Sequence, residues 1–218
     1  MLTVDSLGLL RRELNDVALP TLWSDDDLYT YLDDAQKMFC RLTDGIADSS
    51  NAAVTKLNFA IGAAWLPLHP SILKIRSGYL VSSGLDINII NREDMPNLRL
   101  LFDGGAGPVT RLIIGMEENR ARTHPVASIA DAIQLSVFRL PIDTIAAGGS
   151  VEYEIADQHH RHLFLWAKHL AYSKQDSQTV DRAKDVQFEE AFHTYCEKVA
   201  LEQQNKRHKL RSVSYGGI

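Results

Sequence analysis

Apolar residues recur at helical intervals near the two ends of the chain and at every second position through its middle. Between residues 3 and 17, Val4, Leu7, Leu10, Leu14 and Val17 stand three or four apart, and Pro20 then forces a break. A second helix is predicted after Ser24, whose side chain suits the acceptor role at a helix N-terminus. Asp25 to Asp27 put negative charge where the helix dipole favours it, and Leu28, Leu32, Ala35, Phe39, Leu42 and Ile46 mark one buried face.

Between Ser49 and Ser150 the period drops to two. Ile87 and Ile89 alternate with Asp86 and Asn88; Leu98, Leu100 and Phe102 with Arg99 and Leu101; Ile133, Leu135 and Val137 with Gln134 and Ser136. Gly78, Gly84, Gly104, Gly105, Gly107, Pro108 and Pro141 punctuate these strands, which predicts an antiparallel sandwich or small barrel. With no helical segment of crossover length in the region, parallel pairing is not expected.

From Val151 the helical period returns. A helix over about 157–172 carries Leu163, Trp166, Ala167 and Leu170, and a second over about 179–206 carries Phe188, Phe192, Tyr195 and Val199. The polar linker from Ser173 is short, so the two should form an antiparallel hairpin with Trp166, Phe188 and Phe192 in its core. The predicted class is α+β: N-terminal helices (1–48) and a C-terminal helical hairpin (151–205) build one bundle, an antiparallel β module (49–150) is inserted between them, and an extended arm (206–218) follows.

Composition changes this picture little. The 218 residues are 45% hydrophobic and 23% charged, ordinary values for a globular protein, and the net charge of -5 argues against a protein that coats nucleic acid. The distribution says more, because acids dominate the first fifty residues whereas Lys206-Arg-His-Lys-Leu-Arg is basic, a polarity suited to neighbours meeting end to end. Cys40 and Cys196 lack metal-ligand spacing and read as small core residues. The opening Met-Leu-Thr-Val-Asp-Ser has no secretory pattern and no stretch is apolar enough for a membrane span, so synthesis in a cytosol without membrane contact is expected.

Candidate chemistry is sparse. His159, His160, His162 and His169 cluster, but zinc sites need ligand spacing these lack, so they read as solvated or interface histidines. Phe102-Asp-Gly-Gly-Ala-Gly-Pro resembles a phosphate-gripping loop without its Gly-Lys-Ser/Thr ending and reads as a turn. Asp25 to Asp27 are explained by helix capping without a cation. No catalytic residue, cofactor or metal is therefore expected. At the C-terminus, Lys206, Arg207, Lys209 and Arg211 precede a segment in which Val213 and Tyr215 alternate with serines and Gly216, Gly217 and Ile218 follow. That pattern suits strand addition or insertion into a partner's groove.

The helix His162-Leu-Phe-Leu-Trp-Ala-Lys-His-Leu-Ala-Tyr-Ser-Lys-Gln-Asp, the stretch Phe188-Glu-Glu-Ala-Phe, the tail Arg211-Ser-Val-Ser-Tyr-Gly-Gly-Ile and the opening Leu22-Trp-Ser-Asp-Asp-Asp-Leu-Tyr-Thr-Tyr-Leu-Asp-Asp-Ala-Gln together resemble the head-to-tail adaptor proteins of tailed bacteriophages. The resemblance implies a structural virion protein without enzymatic activity. It implies a ring, typically a dodecamer, at the head-tail junction beneath the portal protein, continuing the channel through which packaged DNA passes towards downstream tail or neck proteins. The portal-binding arm would be Lys206 to Ile218, its bases facing portal acids or DNA. Alternatives are another phage neck or tail protein, or a virion-associated cell-wall hydrolase, for which Glu152 and Glu154 are candidates by position only. A DNA-binding regulator fits less well, because the helices are acidic or apolar on their readable faces.

Overall fold

A computed structural model of the chain describes residues 2–94, 105–147, 151–174 and 180–207. The chain is α+β and divides into two compact units, one formed by Met1–Thr43 with Asp143–Ile218 and the other by Asp44–Ile142.

In the helical unit, α1 (Thr3–Glu13) is followed by α2 (Asp25–Leu42). The cap on α2 forms as its sequence requires: Ser24 Oγ accepts the Asp27 N–H at 3.1 Å, and Leu28, Leu32, Ala35, Phe39 and Cys40 are buried along one face. Two expectations fail. Val4 and Val17 are 49% and 68% exposed, and only Leu10 and Leu14 of the predicted α1 stripe are buried. For Val17 the cause is the buried Asp16 carboxylate, which accepts the Leu22 N–H at 2.7 Å and pairs with Arg11 at 2.6 Å, turning the chain out of the helix before that residue. The predicted α2 face also runs too far. The helix ends at Leu42, Asp44 and Gly45 adopt φ of 67° and 81°, and Ile46 opens a strand. Gly45 is required there, since a Cβ would stand 2.7 Å from the Arg139 carbonyl oxygen.

The other unit holds the short α3 (Ala52–Thr55), and the helical unit resumes after it with α4 (Leu163–Ser173) and α5 (Arg182–Arg207). Residues 157–162 form a 3₁₀ turn rather than the first turns of α4. Its cap residue, Ala156, has no side-chain oxygen to stabilise an α-helical start, and the His159 N–H closes back on the Ala156 carbonyl at 2.9 Å. The α4–α5 pair is an antiparallel hairpin. His162 lies on Tyr195, Trp166 on Phe192 with ring centroids 5.2 Å apart, and Tyr172 on Phe188, so numbers rise along one helix as they fall along the other. Trp166 and Phe192 are core residues as expected, whereas Phe188 is half-buried.

Polar side chains fix α2 in place. Asp33 accepts the Ile145 N–H and Gln36 the Glu154 N–H, each at 3.0 Å, satisfying backbone donors of the segment that re-enters this unit. Trp166 Nε1 donates to Asp34 at 2.8 Å, and Trp23 Nε1 to the Ala171 carbonyl at 3.0 Å.

The second unit is built on an eight-stranded sheet. Its chain order is β1 (Ile46–Asp48), β2 (Lys56–Phe59), β3 (Trp65–Pro67), β4 (Ile72–Leu80), β5 (Asp86–Asn91), β6 (Ala106–Gly107), β7 (Arg111–Glu117), β8 (Arg120–His124), β9 (Val126–Ala127) and β10 (Asp131–Arg139). The spatial order is β1-β10-β4-β5-β7-β8-β3, with β2 also on β10 and with β6 and β9 paired apart. Ile133 stands opposite both Leu57 of β2 and Leu80 of β4, so β10 is paired on both sides. The predicted all-antiparallel module is corrected: β5 runs parallel to β7, and β6 to β9. Parallel neighbours need a long return connection, and residues 92–110 supply it between β5 and β7 without a helix of crossover length among the described residues. Leu57, Leu66, Leu112, Ile133, Leu135 and Val137 form the heart of the core. The strand expected at Leu98–Phe102 and the start of the glycine-rich segment lie outside the described residues.

One ion pair closes this unit's first edge. Arg139 Nε donates to Asp48 Oδ2 at 2.6 Å, while Asp48 Oδ1 accepts the Ser50 and Asn51 N–H groups at 2.9 and 3.1 Å. Burial alone would raise the Asp48 pKa, but these donors outweigh it and bring it down to about 2.

Candidate functional site

Helix α5 leads towards the predicted arm. Its middle is held by Phe192, Cys196 and Val199, which are buried, but Leu201, Glu202, Gln204, Asn205 and Lys206 are exposed. The helix therefore continues past its last buried contact. Of the predicted partner-binding residues, Lys206 is exposed on the last turn and Arg207 closes the helix; Lys209, Arg211, Val213, Tyr215, Gly216, Gly217 and Ile218 lie outside the described residues.

Near its middle, at Tyr195, α5 is held by His159 and His162. Of the two readings expected for the histidines, solvated or interface, the solvated one fails for His159 and His160, which are 8% and 2% exposed. His159 Nδ1 stands 2.7 Å from Tyr195 Oη, and its ring lies against Phe39. The His162 ring stacks flat on Tyr195, 3.6 Å between centroids and 2° between planes. His160 Nε2 bonds the Ile155 carbonyl at 2.8 Å, and its ring lies on Tyr153, whose hydroxyl burial pushes up to about 12. Further along, His169 Nδ1 meets Asp185 Oδ1 at 2.6 Å. Burial lowers the pKa values of His159 and His162, favouring neutral rings. His159 and His162 thus serve as flat wedges against Tyr195 of α5, and His159 also bonds its hydroxyl. Only Trp166, standing between His162 and His169, hinted at this in the sequence.

The remaining candidates take structural parts. The first turn of α2 is capped by Ser24, and Asp27 pairs with Lys174 at 2.9 Å. Glu152 is exposed, and the Glu154 carboxylate accepts the Asp143 N–H at 3.0 Å. Cys40 and Cys196 are buried thiols outside any disulfide, and burial pushes Cys196 up to about 12. Among the described residues no three His, Cys, Asp or Glu side chains are grouped to hold a metal ion, and no helix is long and apolar enough to cross a membrane.

The SU10 adaptor protein family model matches residues 3–213, spanning both helical ends and the sheet between them. The chain belongs to that family. A search of curated proteins finds no match. Membership in the SU10 adaptor family makes the chain a structural protein of phage particles, a head-to-tail adaptor, and the family is not one of enzymes. An adaptor works by holding surfaces together, and the family implies contacts with portal and tail proteins and between copies of the chain. Rigid helices, an exposed helical end and histidines used as packing elements suit a protein that works in this way.

Proposed function

We propose that copies of the chain, typically twelve as the resemblance to head-to-tail adaptors implies, form a ring under the portal protein, continue the DNA channel towards downstream tail or neck proteins, and grip the portal with residues 206–218; a closed ring needs each subunit to present two different surfaces. The helices of the first unit act as one bundle that carries this arm. The observation that carries the proposal is the family match over 3–213 together with α5, whose last turns leave the core and present Lys206 at the root of the arm. Lys206, Arg207, Lys209 and Arg211 pair with portal acids or face passing phosphates, and Val213, Tyr215 and Ile218 supply apolar anchors on a backbone that Gly216 and Gly217 leave free to fit. Made in the host cytoplasm, the adaptor acts at the head-tail junction of the virion.

Deleting Ser212–Ile218 tests the arm. The shortened protein folds with an unchanged melting temperature but no longer binds purified portal rings, and heads completed with it leak DNA. Salt weakens binding of the intact protein in the absence of DNA if the bases pair with portal. Wild-type affinity in the shortened protein would refute the assignment.

A further inference from the structure

Helix α1 and the residues flanking it present apolar side chains on a side that the described residues leave open. Leu2 and Val4 are 37% and 49% exposed, and the loop after the helix adds Val17 and Leu19 at 68% and 89%. Gly8 and Arg12 line both concave surfaces of this face, so the patch is continuous from Val4 to Leu19. The loop is not slack. Arg11 ties Asp16, Asp25 and the Trp23 carbonyl together, so the exposed side chains are presented on a fixed frame.

Gly8 is the telling residue. It sits in the interior of an 11-residue helix, where glycine is among the poorest formers, and a Cβ there would meet nothing within 4 Å. Nothing among the described residues of its own chain requires a glycine, but close approach of another backbone would.

We propose that this face receives the outer face of α5 from a neighbouring copy, as the repeating contact of the ring; the inference rests on the ring assembly proposed above. Charge complementarity selects the occupant. Along α1, Asp5, Gly8 and Arg12 share one exposed face in the order acid, glycine, base. Along α5, Glu190, Thr194 and Lys198 share one exposed face in the order acid, small, base. Laid antiparallel, Asp5 meets Lys198, Gly8 meets the small Thr194, and Arg12 meets Glu190. The same register sets Leu201, 59% exposed, against Leu2 and Val186, 49% exposed, against Val17. Parallel docking would oppose acid to acid and base to base. Because the two faces differ, the contact is heterologous, the kind that builds a ring when its rotation closes rather than a two-fold dimer.

The test uses the full chain assembled on purified portal rings. Gly8→Cys with Thr194→Cys, in a protein whose own two cysteines are buried, gives oxidised ladders of covalently linked copies, and neither single variant does. Arg12→Glu weakens copy-to-copy association about tenfold, the scale of a close interfacial charge pair, and adding Glu190→Arg restores it to within about threefold. Gly8→Trp folds normally and blocks the ring. If wild-type protein forms rings but the cysteine pair does not link and the charge reversals leave assembly unchanged, this contact is wrong and the ring stands. If wild-type protein binds portal without forming a ring, ring assembly itself fails and this contact with it.

Discussion

Replacing Phe192 by alanine removes a ring that is fully buried between α4 and α5 and packed on Trp166 at 5.2 Å. A buried aromatic withdraws roughly 150–250 Å² from water, which at about 25 cal/mol per Å² corresponds to about 4–6 kcal/mol. Compactness of the denatured chain lowers that figure by ~10–40%. Its ring neighbours are the Trp166 indole and the His193 imidazole, rigid rings that close poorly over the gap, so the net cost stays near the roughly 3–5 kcal/mol typical of Phe→Ala in cores. The melting temperature of the helical unit should fall by on the order of 10 °C or more. Urea unfolding followed by tryptophan fluorescence reads this out, because Trp23 and Trp166 belong to the helical unit and Trp65 to the sheet unit. Single-tryptophan variants then separate two units that need not unfold together. Val186→Ala on the exposed side of α5 serves as the control and should change stability by less than about 0.5 kcal/mol. A loss below about 1 kcal/mol for Phe192→Ala, with unchanged urea dependence, would refute the placement of this ring.

Two further outcomes follow from the titratable groups. Arg139→Met leaves the Asp48 carboxylate buried without its cation and should cost the sheet unit about 3–5 kcal/mol, most of it recovered by adding Asp48→Asn. Asp48 is held at about 2, below its unfolded value, so its contribution is complete above about pH 4 and disappears as pH falls from there towards 2; acid titration of Trp65 fluorescence checks this, and identical acid midpoints for wild type and the double variant would refute it. His159 and His162 are lowered chiefly by burial, His159 also by nearby His162, His160 and Lys206 against the opposing Glu202. The folded helical unit therefore binds fewer protons than the unfolded chain, is fully stable above about pH 6.5, and weakens as pH falls below that value. The urea midpoint should drop between about pH 7 and 5.5 and flatten in His159→Gln/His162→Gln, whereas a wild-type midpoint constant over that range would show the rings to be exposed.

The α+β class, the capped start of α2 and the α4–α5 hairpin were legible in the sequence because each is set by local periodicity: apolar residues three and four apart bury one stripe, and Ser24 with Asp25 to Asp27 satisfies its own helix end. The strands carrying Ile87 and Ile133 were legible for the same reason. The tail's chemistry was legible as composition alone, and its geometry begins in the structure with the exposed end of α5. Three matters were decided only by tertiary contacts. Strand direction depends on how far residues 92–110 carry the chain, and no periodicity encodes that distance, so β5 and β7 came out parallel. Histidine burial depends on what lies opposite in space: His159 is a wedge because Tyr195 and Phe39 reach it from two other helices. The open face of α1 is the reverse case. Its apolar spacing promised a buried helix, but a pattern records only which residues seek cover; after the helix, Asp16 and Arg11 turn the chain and leave Val17 and Leu19 facing outward, and Val4 in the first turn is exposed as well.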